Sequence, residues 1–106
     1  MGIDQELIDD IVRRLLTVAR PRRIILFGSA ASGRMTRDSD IDLLVLEDRP
    51  ADPRKESVLL RGALRGMGYP FDVIVMDMER FEESKDVIGG IAFPASRSGK
   101  VIYEAA

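Results

Sequence analysis

From Asp4 to Ala19 the apolar residues Leu7, Ile8, Ile11, Val12, Leu15, Leu16 and Ala19 recur at spacings of three and four, with Asp and Arg between them. That period predicts an amphipathic helix. Asp4 is placed to cap it, acidic residues cluster at its start, Arg13, Arg14 and Arg20 lie toward its end, and Pro21 closes it, all as helix termini prefer. The pattern then changes. Ile24-Ile25-Leu26-Phe27 is a continuous apolar run, which predicts a short strand over Arg23 to Phe27 buried on both faces. Gly28-Ser29 breaks it, and after the small and charged residues Ala30 to Ser39 a second strand is predicted at Asp40-Ile41-Asp42-Leu43-Leu44-Val45-Leu46, polar on alternate positions only at its beginning.

The segment Glu47 to Pro53, with Pro50 and Pro53, reads as a loop leading to a helix near Glu56 to Met67 built on Val58, Leu59, Ala63, Leu64 and Met67. Gly66, Gly68 and Pro70 mark its end. A third strand is expected over Phe71 to Met76 around the β-branched Val73-Ile74-Val75, then a helix around Arg80 to Ile91, and last a weaker strand at Val101-Ile102-Tyr103. This alternation predicts an α/β (α+β) domain, a sheet of about four strands with helices packed on it. No repeat, linker or low-complexity tract divides the chain, so residues 1–106 are expected to form a single small domain.

Composition narrows the chemistry. A chain of 106 residues has material for one hydrophobic core and none for a separate substrate-recognition domain of ordinary size. A large substrate is therefore expected to be gripped by something else. Hydrophobic residues make up 45% and charged residues 32%, the balance of a globular rather than a disordered chain. Sixteen basic against eighteen acidic residues leave a net charge of −2, which argues against direct nucleic-acid binding. The chain has no Cys and no His, which removes disulfides, thiolate zinc sites, thiol nucleophiles and the commonest general base. Carboxylates, hydroxyls, Lys and Arg remain. No apolar run approaches the roughly 18 residues of a membrane span, and the acidic start Asp4-Gln5-Glu6 is unlike a signal peptide. A cytoplasmic location without membrane attachment is expected. Gly2 does not read as a myristoylation site, because Glu6 stands where that motif wants Ser or Thr.

The informative stretch is Leu26-Phe27-Gly28-Ser29, ten intervening residues, then Asp40-Ile41-Asp42. Period two puts Asp40 and Asp42 on one face of a strand, roughly 7 Å apart at their Cα atoms. Two carboxylates held that close are costly unless a cation sits between them, and hard oxygen ligands without His or Cys favour Mg²⁺ or Mn²⁺. Gly28-Ser29 at a strand end offers a bare backbone, an N–H and a hydroxyl to a phosphate. Asp72 opens the third strand, so its carboxylate joins the pair if the second and third strands are neighbours. Three carboxylates of this kind suit two-metal phosphoryl or nucleotidyl transfer, with one also serving as general base.

These residues resemble the signature of the DNA polymerase beta-like nucleotidyltransferase superfamily, and the run Asp38-Ser39-Asp40-Ile41-Asp42-Leu43-Leu44-Val45 looks like its minimal nucleotidyltransferase (MNT) branch. The likeness spans roughly Arg23 to Val75. It implies a nucleotidyltransferase fold, ATP as co-substrate, and Mg²⁺, two ions, held by Asp40, Asp42 and Asp72 as metal-binding and catalytic residues. Gly28 and Ser29 would contact the triphosphate. Many relatives carry an Arg soon after Gly-Ser and a Pro shortly before Asp-Ser-Asp, whereas this chain has Ala30-Ala31-Ser32 and Arg37. Triphosphate contacts therefore pass to Arg34 or Arg37.

Plainer readings compete at each position. A lone Gly-Ser is ordinarily a turn, and a lone Asp before an apolar strand, such as Asp72, is ordinarily solvated; their combination with Asp-x-Asp is what carries the functional reading. Asp38 and Ser39 are explained by an Asx turn, and Asp77 is expected to be solvated. Arg13, Arg14, Arg22 and Arg23 need no more than a helix dipole and a surface. Phe81, Phe93 and Tyr103 read as core or interface rather than a base-stacking platform. The resemblance further implies a helical HEPN-type toxin as partner in a hetero-oligomer, with AMP transferred from ATP to its hydroxyl, a tyrosine by first choice, so that the chain acts as antitoxin. Two alternatives stay open. In one the chain is a non-catalytic module that occludes the HEPN partner. In the other it transfers a nucleotidyl group to a small molecule in a pocket built with a partner subunit.

Overall fold

The computed structural model describes residues 4–33 and 39–106. Among these residues nine elements follow in order: α1 (Gln5–Leu16), β1 (Arg23–Phe27), α2 (Ser29–Ser32), β2 (Ile41–Glu47), α3 (Pro53–Ala63), β3 (Phe71–Asp77), α4 (Met78–Ser84), α5 (Ala92–Ser98) and β4 (Lys100–Glu104). The strands form one four-stranded mixed sheet in the order β3-β2-β1-β4. β1 is antiparallel to β2 and to β4, and β2 runs parallel to β3. The expected α/β sheet with helices packed on it is what forms.

Local chemistry sets the element ends. The Asp4 carboxylate accepts from the Leu7 N–H at 2.8 Å, one of the donors a helix start leaves unpaired. α3 begins at Pro53, earlier than the apolar spacing suggests, because Asp52 accepts from the Lys55 N–H at 3.2 Å and Pro53 occupies the first helical position. A single helix over Arg80 to Ile91 is not found. α4 starts at Met78, where Asp77 accepts from the Arg80 N–H at 3.2 Å, and it ends at Ser84. Gly89-Gly90 lies in the turn that follows, and α5 then forms around Pro94. Proline at the third residue of a helix is tolerated because the N–H it lacks would have had no partner in the first turn.

Alternation along β2 divides the core between the two faces of the sheet. Ile41, Leu43 and Val45 face Ile11 and Leu15 of α1 and Leu60 of α3. Leu44 and Leu46, with Ile25 and Phe27 of β1, face Phe81 of α4 and Ala92 and Ala95 of α5. β2 is thus buried on both sides, as the continuous apolar run predicts. Arg23 ties β1 to β4 and to α4, donating to Glu104 at 2.8 Å and to Glu82 at 3.2 Å. No described helix is long and apolar enough to cross a membrane.

One acidic side chain sits inside. Glu47, at the far end of β2, is only 8% exposed. Burial, then a hydrogen bond to Glu56 in the first turn of α3, then the negative charge of Glu56, push its carboxyl up to about 8. The Oε2 atoms of both residues are buried without a hydrogen-bond partner. A proton held by Glu47 and donated to Glu56 joins β2 to α3 and spares the interior two bare charges.

Stability should therefore depend on pH in a defined direction. The Glu47 carboxyl ionises near 8 in the folded chain against an ordinary 4.5, so between those values the folded state binds more protons than the unfolded one. Its contribution is complete below the lower value and is lost as pH rises through the upper one. At about 1.4 kcal/mol per pKa unit the loss reaches a few kcal/mol. Thermal melts should show a lower Tm at alkaline than at mildly acidic pH, and Glu47→Gln should flatten that slope. An unchanged slope in the variant would show that the pair holds no proton.

Candidate active site

The site is built where β1 ends and β2 and β3 begin. β1 closes at Phe27, and Gly28 follows with φ 71° and ψ −151°, a backbone state almost confined to glycine. Space enforces the same choice. A Cβ on Gly28 would overlap the Asp42 carboxylate and lie 3.3 Å from its Cγ. Glycine is thus required for this backbone to lie directly against that carboxylate.

Register places the rest. Asp42 is opposite Phe27 in the antiparallel pair and beside Asp72 in the parallel pair. The assumption that the second and third strands are neighbours therefore holds. Asp40 lies just before β2 and is exposed, Asp42 is half-buried on it, and Asp72 is exposed on β3. By the two-residue period Asp42 shares the face of Leu44 and Leu46, and Asp72 that of Ile74 and Met76, residues of the core cluster under α4 and α5. Ser29 opens α2 and is half-buried.

Burial is the first cause that raises the Asp42 carboxyl above the usual carboxylate range, followed by the charges of Asp72 and then Asp40. None of the salt bridges among the described residues reaches any of the three. Nor do three acidic side chains among the described residues close into a metal cage; the carboxylates form an open arc on adjacent strands. An arc of oxygen donors whose charge no described cation compensates, in a chain without His or Cys, fits a hard cation such as Mg²⁺, which takes few carboxylates and completes its shell with water and phosphate.

The structure thus brings together Gly28, Asp42 and Asp72, with Ser29 and Asp40 adjoining in the chain. Arg34 and Arg37, the expected triphosphate ligands, lie outside the described residues. Asp77 is not a solvated bystander: it caps α4 and also accepts from the Arg49 N–H at 2.8 Å. Its position before a run of helix formers was the available signal. Reading residues as candidates for chemistry also passes over Glu47 and Glu56, because nothing in a strand-ending Glu announces burial.

The model of the nucleotidyltransferase domain matches residues 6–93. The chain belongs to this family. No curated protein matches this nucleotidyltransferase in sequence. Its fold is shared with a toxin–antitoxin complex solved with AMP-PNP, at 20% identity over 92% of this chain and 73% of that one, with a TM-score of 0.70. It is similar also to a nucleotidyltransferase assignment from Sulfolobus solfataricus, at 22% identity over 93% of this chain and 78% of the other, TM-score 0.61. A third likeness is to a complex of tri-AMPylated Shewanella oneidensis HEPN toxin with MNT antitoxin, at 19% identity over 96% and 74% of the two chains, TM-score 0.60.

Two substitutions separate the architecture of this nucleotidyltransferase from its chemistry. Gly28→Ala should cost about 1–3 kcal/mol through backbone strain and should weaken ATP binding as well, since the new methyl displaces the Asp42 carboxylate. Both are read by thermal melts with and without Mg-ATP. Asp42→Asn removes a half-buried charge held beside two others, and without metal it should melt at the same temperature as the parent or higher while losing the Mg-ATP-induced rise in Tm. A variant that retained the full rise would remove Asp42 from the metal site.

Proposed function

We propose that this nucleotidyltransferase moves AMP from ATP to a hydroxyl, a tyrosine by first choice, of a HEPN-type helical toxin in the cytoplasm, and so acts as its antitoxin. The observation that carries the reading is Asp42, pressed against the bare backbone of Gly28 on one side and set beside Asp72 on the other. With a cation on these carboxylates, the arrangement would suit a nucleotide triphosphate beside the Gly28 corner and an incoming hydroxyl beside Asp72. A protein acceptor is favoured by the fold neighbours, two of which are toxin–antitoxin complexes, one of them with an AMPylated toxin.

Bound among Asp40, Asp42 and Asp72, Mg²⁺ would supply positive charge to the phosphate oxygens and relieve the repulsion that now raises Asp42. The chain's own groups do the rest. The Gly28 backbone and the Ser29 hydroxyl hold the triphosphate against the end of β1. Asp72, exposed on β3, accepts the proton of the acceptor hydroxyl as its oxygen bonds to the α-phosphorus and the bond to pyrophosphate breaks. With so little covalent work for the protein, rate comes mainly from positioning and charge. Arg34 and Arg37 are assigned to the leaving pyrophosphate on the strength of the sequence alone.

Intact-mass measurement of a HEPN-type partner incubated with this chain, ATP and Mg²⁺ tests the proposal, with Asp40→Asn/Asp42→Asn as control. Mass added in AMP-sized steps by substoichiometric enzyme, and absent with the control, is the expected outcome. A partner that stays unmodified in a tight complex would replace the enzymatic reading with one of occlusion.

A further inference from the structure

β3 is an edge strand: β2 pairs with one side of it, and no described strand pairs with the other. Such edges are templates for another chain, and proteins commonly block them with Lys, Pro, bulges or a covering loop. Here the edge reads Phe-Asp-Val-Ile-Val-Met-Asp, without Lys or Pro, and its register with β2 is unbroken over all seven residues. It is apolar in its middle, and no described strand pairs with its outer side.

Two concavities run along it under α3. The first, about 170 Å³, lies among Pro53, Arg54 and Ser57 of the helix and Val73, Ile74 and Val75 of the strand. The second, about 400 Å³, lies one to two turns further on, among Val58, Arg61, Arg65, Tyr69 and Phe71. Val58 is 58% and Tyr69 42% exposed, so the wall is apolar and reachable. No described Asp or Glu lines either concavity. Arg54, Arg61 and Arg65 follow one another along α3 and the turn after it, and none makes an ion pair with a described residue. An open strand edge, apolar recesses beside it and a line of unpaired cations above it are the parts of a strand-addition groove.

We infer that the edge of β3 under α3 receives an extended segment of a partner protein with alternating apolar and acidic side chains, added as a further strand of the sheet. Charge decides the occupant. A second copy of this chain, pairing β3 antiparallel with β3 about a two-fold axis normal to the sheet, would set both α3 helices on the same face and bring like-charged arginines together, which is unfavourable in a partly desolvated interface. An acidic segment meets the same arginines with opposite charge. The inference rests on the protein-acceptor reading for the partner's identity and adds where that partner is held. Phe71 lines the end of the groove, and Asp72 next to it belongs to the opposite face of the sheet, so an added strand, whose side chains alternate between the two faces, would meet that carboxylate from its face away from α3.

The test uses the whole chain and a fluorescein-labelled synthetic peptide alternating Val and Glu, read by fluorescence anisotropy, with a Val–Lys peptide and a backbone N-methylated Val–Glu peptide as controls. Expected are binding of the Val–Glu peptide, affinity at least about tenfold lower for either control, and slowed amide exchange along β3. Arg54→Glu/Arg61→Glu/Arg65→Glu should lower the affinity by a similar factor while leaving the circular dichroism and ATP binding as they were. Equal binding of the Val–Lys peptide, indifference to N-methylation or to the arginine changes, or displacement of the peptide by ATP would each overturn the inference. Self-association through β3 in sedimentation would assign the edge to a second copy instead. Peptide binding without any AMP transfer to a HEPN-type partner would leave the groove standing and remove the catalytic reading alone.

Discussion

The structure depends on one strand being buried on both faces while carrying charge at both ends. β2 supplies the middle of each core cluster, five of its residues fully enclosed, and its pairing with β1 and β3 fixes where every other element lies. Because those five residues cannot shift without exposing one face or the other, the residues at the strand's ends are held in place as well. At one end this sets Asp42 between the Phe27-Gly28 corner and Asp72; at the other it draws Glu47 into the interior under α3. A one-residue slip of β2 would turn its apolar residues to the wrong faces and dismantle the site in the same motion. Core and chemistry are therefore specified together.

The two ends handle unfavourable charge differently. Glu47 faces Glu56 with little solvent, and a proton settles the conflict. Asp42 faces Asp40 and Asp72 across an open arc. Its carboxyl is raised there by burial and then by those two charges, a repulsion that a bound cation would relieve. The difference between the two ends lies in access, since the carboxylates resemble one another and only their surroundings differ.

Much of this was legible in the residues before any coordinates. The continuous apolar runs at Ile24–Phe27 and Leu43–Leu46 are typical of strands covered on both sides, and Asp-Ile-Asp at the head of the second placed two carboxylates on one face. What was not legible had specific causes. Whether Asp72 meets Asp42 depends on strand order, which local periodicity does not contain. α5 was hidden because Pro94 and the nearby glycines resemble loop chemistry, although a proline in the first turn costs little. The start of α3 was missed by weighting apolar spacing above the Asp52-Pro53 cap. The burial of Glu47 followed from a helix arriving over the strand's end, a purely tertiary event.

The arc of carboxylates on β2 and β3 also bears on how long the folded chain survives in the cell. Its halves are joined through α3, so the arc exists only in the folded molecule, and a ligand that binds it shifts the population away from unfolded forms that proteases cut. Magnesium and nucleotide held there, as in the proposed function, would make opening rarer, and their loss would leave the repulsion among the carboxylates uncompensated and opening more frequent. The lifetime of the protein would then follow the supply of its own ligand.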